Sequence, residues 1–257
     1  MGRFIKGCAI GCGVLVVIAV IGGLAVAAWV RATFKPKPPD PTVGPVVALR
    51  PTFKLRAGGD YGAGTAVAVR LQPGSQPILL TALHLFGPAG GLETNLAPSQ
   101  LDGVIREVLL TPVGGRGVVA KARGALRKSG AALQEDDTNV SGDVAAFKLL
   151  PKARVNALNL AAGNPRTGEW VWMIGDVFDH EPQTQRLFPA QVLTVSDAGT
   201  TVKFQTSFQL RAFSGAPLIN ARREVVGLLI SGGENGGIGI INPAGSIRKR
   251  LSESGIR

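Results

Sequence analysis

Histidine is nearly missing from this 257-residue chain: only His84 and His180 occur. A metal centre built from three histidines is therefore excluded. Cysteine is equally scarce, and both copies, Cys8 and Cys12, lie near the N-terminus. Everything downstream lacks a thiol, so no disulfide braces it and no cysteine can serve it as a nucleophile. At spacing i,i+4 the two cysteines would share one face of a helix, where they read as small apolar residues. Cys-x-x-Cys and His-Glu-x-x-His are absent, and the glycine-rich stretch 232–239 lacks the Lys-Ser/Thr of a phosphate loop. No metal and no cofactor is expected, and Asp136-Asp137 reads as part of a solvated loop. Aromatic residues are few (5%) and the basic residues form no stripe, so nucleic acid is not an expected partner.

Charge of either sign is missing from Cys8 to Val30, a run of 23 residues. As a helix it spans ~34 Å, enough to cross a hydrocarbon core about 30 Å thick. Residues 1–30 therefore read as a single N-terminal transmembrane helix and anchor, with Trp29 at the interface. A signal peptide cut at the small-x-small triplet Ala25-Val26-Ala27 is the alternative. Of the net charge of +11, +5 falls in the first 50 residues, where Lys and Arg suit anionic lipid headgroups. Basic residues flank the apolar run on both sides (Arg3 and Lys6 before it, Arg31, Lys35 and Lys37 after it), which leaves the positive-inside rule undecided. The signal-like layout puts the following domain on the periplasmic or extracellular side. Residues 31–45, with their run KPKPPDPTVGP, form a Pro-rich linker expected to be extended and stiff.

The remaining residues, 46–257, read as one all-β domain. Short apolar runs bounded by Gly or Pro recur at 65–70, 78–81, 104–110, 118–122, 144–149, 170–174, 191–195, 202–205, 225–230 and 238–241. Gly and Pro together make up about a fifth of the chain, below low-complexity levels, and serve as turn residues. Many short strands separated by turns indicate a barrel or a sandwich. Helical periodicity appears only near the end, where Pro243 can open a helix with Ile247 and Leu251 on one face.

A serine nucleophile needs a base within hydrogen-bond reach and a carboxylate to orient that base. Ser214 stands in Ala212-Phe213-Ser214-Gly215-Ala216-Pro217-Leu218, where small residues and a proline favour a tight turn. No histidine follows it, so the Ser, acid, His order of an α/β-hydrolase is excluded. The order His, Asp, Ser stays open. His84 closes a strand in LLTALH, Asp143 opens another in GDVAAFKLL, and Ser214 precedes the strand-like PLIN. Each lies at the edge of an element, where cleft residues are commonly found.

These segments resemble a known family. Thr81-Ala82-Leu83-His84 is similar to the TAAH histidine motif of trypsin-like serine proteases. Asp143-Val144-Ala145-Ala146-Phe147-Lys148-Leu149 resembles their aspartate strand, and Phe213-Ser214-Gly215-Ala216-Pro217-Leu218 their serine loop. Tyr61-Gly62-Ala63-Gly64-Thr65 resembles the segment ahead of the histidine strand. Residues 225–228 and 237–243 resemble the end of bacterial HtrA-like protease domains, here with no PDZ-sized extension. The resemblance runs over residues 44–257. It implies two six-stranded antiparallel β-barrels with the site between them and a short C-terminal helix. It further implies an endopeptidase acting on polypeptide, with Ser214 as nucleophile, His84 as general base and Asp143 orienting His84. The backbone N–H groups of Ala212 and Ser214 would form the oxyanion hole. Phe208 would be the floor of the side-chain pocket, and Ser231, Gly232 and Gly233 the strand that pairs with substrate, the two glycines leaving the pocket wall open.

The departures from the pattern are local. Ala212 stands where the family has Gly, and its Cβ could twist the loop and turn an N–H away. Phe213 stands where the family has Asp or Asn, so the pairing of that Asp with a new N-terminus, which activates trypsin-like zymogens, is excluded. Two rival readings follow: a protease fold that binds or senses a partner without cleaving it, and a structural β-domain bearing chance motifs.

Overall fold

The computed structural model describes residues 36–126, 139–176, 184–210, 212–233 and 236–256. The expected anchor over residues 1–30 and the start of the linker lie outside the described residues, as does His180. No helix among the described residues is long and apolar enough to cross a membrane. Residues 38–257 form one compact unit.

The first half of that unit contains β1 (Ala48–Leu55), β2 (Asp60–Gly62), β3 (Ala66–Arg70), β4 (Ile78–Thr81), β5 (Ile105–Pro112), β6 (Ala120–Ala125), β7 (Ala145–Leu149) and β8 (Leu158–Asn159). Their order is β2-β1-β5-β6-β7-β4-β3-β8, and a further β1–β3 pairing closes six of them into an antiparallel barrel. Strand β2 extends β1 outside the ring, and the two residues of β8 run parallel to β3. The second half contains β9 (Trp170–Gly175), β10 (Arg186–Val195), β11 (Thr200–Phe204), β12 (Pro217–Ile219), β13 (Val225–Gly232) and β14 (Ile238–Pro243). These close in the order β10-β11-β14-β13-β12-β9. The chain ends in a helix over Ala244–Glu253, with Pro243 as its cap and Ile247 and Leu251 buried, as the periodicity of that segment predicts.

Two barrels rather than a sandwich explain why the strands read as continuous apolar runs. On β3, Ala66 and Ala68 face the core of the first barrel, while Val67 and Val69 join the apolar cluster shared with the second. On β4, Leu79 points inward and Ile78 and Leu80 outward; on β7, Phe147 points inward and Ala146 outward. A strand with both faces buried loses the alternation that marks a half-exposed sheet. The site lies along this shared seam.

Prolines sit inside two strands without breaking them. Pro51 in β1 pairs only with Leu110 of β5, because β3 pairs at Ala48 and Leu49 and β2 starts at Thr52. Its missing N–H therefore falls between two partners, where no ladder bond is lost. The end of the Pro-rich linker is tied to the protein body rather than standing free. Trp172 Nε1 donates to Asp40 Oδ1 at 2.7 Å, and Gln185 Nε2 donates to the Gly44 carbonyl at 2.9 Å.

Candidate active site

His84 belongs to a single 3-10 turn, Leu83–Phe86, that directly follows β4. Leu83, Leu85 and Phe86 are buried in that turn, and His84 is left facing the seam with its side chain 20% exposed. Asp143 ends a second 3-10 turn, Val140–Gly142, in which the Ser141 N–H donates to the Asn139 side chain. Its carboxylate is buried (3% exposed) and fully engaged. Oδ2 meets His84 Nδ1 at 2.6 Å, while Oδ1 accepts from the backbone N–H groups of Leu83 at 2.6 Å and His84 at 3.0 Å. This bond assigns the proton to Nδ1 and leaves the Nε2 lone pair free to take a proton. The two turns thus lock imidazole and carboxylate together from both main chain and side chain.

Ser214 lies in the second of two consecutive tight turns. In the first, Phe213 N–H donates to the Leu210 carbonyl at 3.3 Å, with Ala212 as third residue at φ +63°. In the second, Ala216 N–H donates to the Phe213 carbonyl at 2.7 Å, with Gly215 as third residue at φ +85°. Positive φ at the third position is a conformation that favours glycine, as in a type II turn. Gly215 meets a second demand, since a Cβ there would collide with the Thr65 carbonyl. Ala212 adopts the glycine-like conformation despite its Cβ, at a cost of roughly 1–2 kcal/mol.

The hydrogen bonds of this loop alternate. The N–H groups of Phe213, Gly215 and Ala216 donate to Leu210, Leu229 and Phe213. Among the described residues, those of Ala212 and Ser214 have no protein acceptor. Both residues are half-buried, which leaves these two donors open to a ligand or to water. Ser214 Oγ itself donates to the Ile230 carbonyl at 3.3 Å, and no hydrogen bond joins it to His84.

The first barrel holds this loop in place. Thr65 N–H donates to the Ser214 carbonyl at 2.8 Å, and Thr65 Oγ1 to the Ala212 carbonyl at 3.1 Å. The Thr65 carbonyl in turn accepts from Thr81 Oγ1 at 2.8 Å, three residues before His84. The histidine and serine segments are thus joined through one buried threonine. Arg50 of β1 reaches the same place: Nη1 lies 3.2 Å from both Thr65 Oγ1 and the Ala212 carbonyl, and Nη2 lies 3.4 Å from the Asp176 carbonyl. Burial pushes the Arg50 pKa down to about 10, while the Asp176 charge pulls it back up. The guanidinium is therefore still cationic near neutral pH. A charge-assisted hydrogen bond contributes about 1.5–3 kcal/mol, enough to offset the strain at Ala212.

Sequence reasoning missed three supporting residues. Arg50 was visible as a lone basic residue in the apolar run VVALRPTF, and Thr65 within the quoted segment 61–65. Asn242 donates through Nδ2 to the Asp143 carbonyl at 3.2 Å and the Ser141 carbonyl at 3.4 Å. A buried Asn just before Pro243 was its only sequence signal. Tyr61 Oη donates to the Leu85 carbonyl at 3.3 Å, and burial pushes its phenol pKa up.

Phe213 is fully buried and packs its ring edge against Phe188 (5.7 Å) and Phe208 (5.8 Å). Phe208 also packs on Phe188 (4.6 Å) and Phe204 (5.0 Å). The aromatic residue expected to floor a side-chain pocket thus belongs to the cluster beneath the serine loop. Ser231 and Gly232 end β13, followed by Gly233, and all three are exposed. β12 pairs with β13 no further than Leu228, so among the described residues, 230–232 have one edge without a partner strand. The expectation of a wall left open by two glycines needs correction. A Cβ on Gly232 would collide with Leu210, which already occupies that space, while Gly233 has nothing closer than 3.9 Å.

The chain belongs to the trypsin-like peptidase domain family, whose model matches residues 62–228. Its fold is similar to that of a serine endoprotease from Yersinia pestis: 15% identity over 84% of this chain and 68% of that one, TM-score 0.53. It is also similar to the thermostable serine protease AL20 from an extremophilic microorganism: 15% identity, 82% and 97% coverage, TM-score 0.56. A variant of the HtrA-type protease AlgW with a tripeptide is a third: 15% identity, 83% and 61% coverage, TM-score 0.51. Likeness at these identities concerns the fold alone. No curated protein matches the sequence.

Proposed function

We propose that the chain is a serine endopeptidase in which Ser214 attacks the carbonyl carbon of a peptide bond. His84 Nε2 takes the Oγ proton and passes it to the leaving amine. Asp143 holds the Nδ1 proton and stabilises the imidazolium. The observation that carries this reading is the pairing of His84 with Asp143 beside a loop with two unpaired N–H groups. Those of Ala212 and Ser214 would receive the oxyanion, where one donor is worth about 2.7–4 kcal/mol of barrier. For attack, Ser214 Oγ leaves the Ile230 carbonyl by a rotation between staggered positions. Once Ser214 Oγ has left the Ile230 carbonyl, the edge at 230–232 suits an extended polypeptide pairing as an added strand. The uncharged run 8–30 supports tethering to a membrane, with the barrels on the periplasmic or extracellular side.

The test is covalent labelling of the intact protein by a fluorophosphonate probe, together with hydrolysis of casein. Labelling of the wild type that is lost in Ser214→Ala, with casein turnover lost in His84→Ala, is expected. Equal labelling of wild type and Ser214→Ala overturns the reading. One observation favours a second reading, a protease fold that binds polypeptide without cleaving it: Ser214 Oγ is bonded to Ile230 and not to His84. Casein turnover that depends on His84 overturns that alternative.

A further inference from the structure

We infer that Arg50 is the positioning residue that keeps the serine loop in its working shape, by holding the Ala212 carbonyl from the opposite barrel. This rests on the peptidase reading above and assigns a role to a residue outside the triad and the oxyanion donors.

The argument starts from what the loop lacks. The acidic residue that could anchor it by an ion pair is absent, since Phe213 stands there. Phe213 secures its own side chain in the aromatic cluster, but an apolar ring cannot orient a neighbouring peptide. Ala212 is strained at φ +63°, and relaxation to negative φ would rotate the peptide groups on either side of it. The turn bond from Phe213 N–H to the Leu210 carbonyl spans it at 3.3 Å, and its own carbonyl is held from the first barrel. Its two acceptor positions are filled by Thr65 Oγ1 at 3.1 Å and Arg50 Nη1 at 3.2 Å. The same Nη1 lies 3.2 Å from Thr65 Oγ1, so the three groups form a closed triangle in which each bond polarises the next.

Arg50 suits this task better than another cation would. Its planar fork presents donors in fixed directions. One arm reaches Ala212 and Thr65, and the other reaches the Asp176 carbonyl at the end of β9. The guanidinium therefore ties β1 of the first barrel to two separate segments of the second. A lysine ammonium could replace the charge but not this geometry. It follows that the loop is held in shape without cleavage of the chain, because both partners of Ala212 lie within the folded domain.

The test uses the full chain with Arg50→Met, Arg50→Lys and Thr65→Val, each compared with wild type. Casein hydrolysis is resolved into kcat and KM, and the conformation of Ala212 is read from crystal structures. In Arg50→Met, Ala212 is expected at negative φ, with kcat down about 10²–10³-fold, as for loss of one oxyanion donor, and KM within threefold. Arg50→Lys restores part of kcat. Thr65→Val gives a smaller loss of the same kind, and Arg50→Lys decides the matter if Arg50→Met does not fold. Retention of positive φ at Ala212 in Arg50→Met, or wild-type kcat in Arg50→Lys where Arg50→Met fails to fold, overturns the inference. If wild type hydrolyses no casein while Ala212 turns in Arg50→Met, the peptidase reading fails and the positioning role stands. Turnover in wild type that persists in Arg50→Met refutes the role and leaves the peptidase reading intact.

Discussion

Replacing Ala212 by Gly should raise stability slightly or leave it unchanged, against the usual direction of an alanine-to-glycine change. Three contributions decide the sign. Removing the Cβ at φ +63° relieves roughly 1–2 kcal/mol of left-handed strain. The extra freedom of glycine in the unfolded chain costs about 0.4–1 kcal/mol. Loss of a half-buried methyl costs a few tenths, below the ~0.8 kcal/mol of a fully buried carbon. The balance is about +0.5 kcal/mol, or a rise in Tm of ~1–2 °C for a domain of this size. Ala63 supplies the control, since it is equally half-buried but has no positive φ. Ala63→Gly should lose about 0.5–1 kcal/mol and more than 1 °C. Thermal and urea unfolding of the two variants beside wild type give the comparison, and casein hydrolysis by Ala212→Gly should equal or exceed that of wild type. If Ala212→Gly falls as far as Ala63→Gly, Ala212 is not strained and the account of the serine loop is wrong.

Restoring the family's acid by Phe213→Asp removes a fully buried ring, worth about 3–5 kcal/mol, and buries an unpaired carboxylate. It should abolish cooperative unfolding, whereas Phe213→Leu should lose only about 1–2 kcal/mol by urea titration. Gly215→Ala forces a Cβ into the Thr65 carbonyl at φ +85°, and should both destabilise the fold and remove fluorophosphonate labelling. Burial pushes the Glu107 carboxyl up, but Arg123 at 2.8 Å and Lys121 at 3.5 Å outweigh it and hold its pKa below the ordinary 4.5. Both cations are more than half exposed, so Glu107→Gln should cost at most about 1 kcal/mol at pH 7. Because the folded-state pKa is depressed, the stabilisation is present above about pH 4.5 and is lost as pH falls through the folded value. Wild type and Glu107→Gln should therefore converge in urea midpoint at acid pH.

The parts of the fold that the sequence revealed are those whose cause is local. β4 is bounded as expected because Gln76-Pro77 precedes it and the His84 turn ends it, and the last helix follows from Pro243 with Ile247 and Leu251. β1 was not legible. Its Arg50, Pro51 and Lys54 interrupt the apolar pattern, and the partners that make them tolerable come from β5, β2 and β3. His84, Asp143 and Ser214 stood out because each occupies a short motif with few acceptable substitutes. Arg50 and Asn242 act mainly through long-range hydrogen bonds to backbone carbonyls, and such bonds impose no pattern on neighbouring residues. The filling of the space over Gly232 was hidden for the same reason, since Leu210 arrives from 22 residues earlier in the chain.

The two departures beside Ser214 become intelligible when taken together with Arg50. An acid at position 213 would need a buried cation close by, and desolvating such a pair can cost more than it returns. Phe213 avoids that cost by joining Phe188 and Phe208 in an apolar cluster. That choice leaves the loop's main chain without a charged anchor. Arg50 supplies one at the neighbouring carbonyl, where a neutral acceptor rather than a carboxylate meets the guanidinium. With this support a residue bearing a Cβ can sit at φ +63°, so the strained Ala212 is tolerable where an unanchored loop would require glycine. Phe213 and Ala212, taken singly, each suggest a damaged site. Set against Arg50 and Thr65, they describe a loop held by packing and by hydrogen bonds between the two barrels.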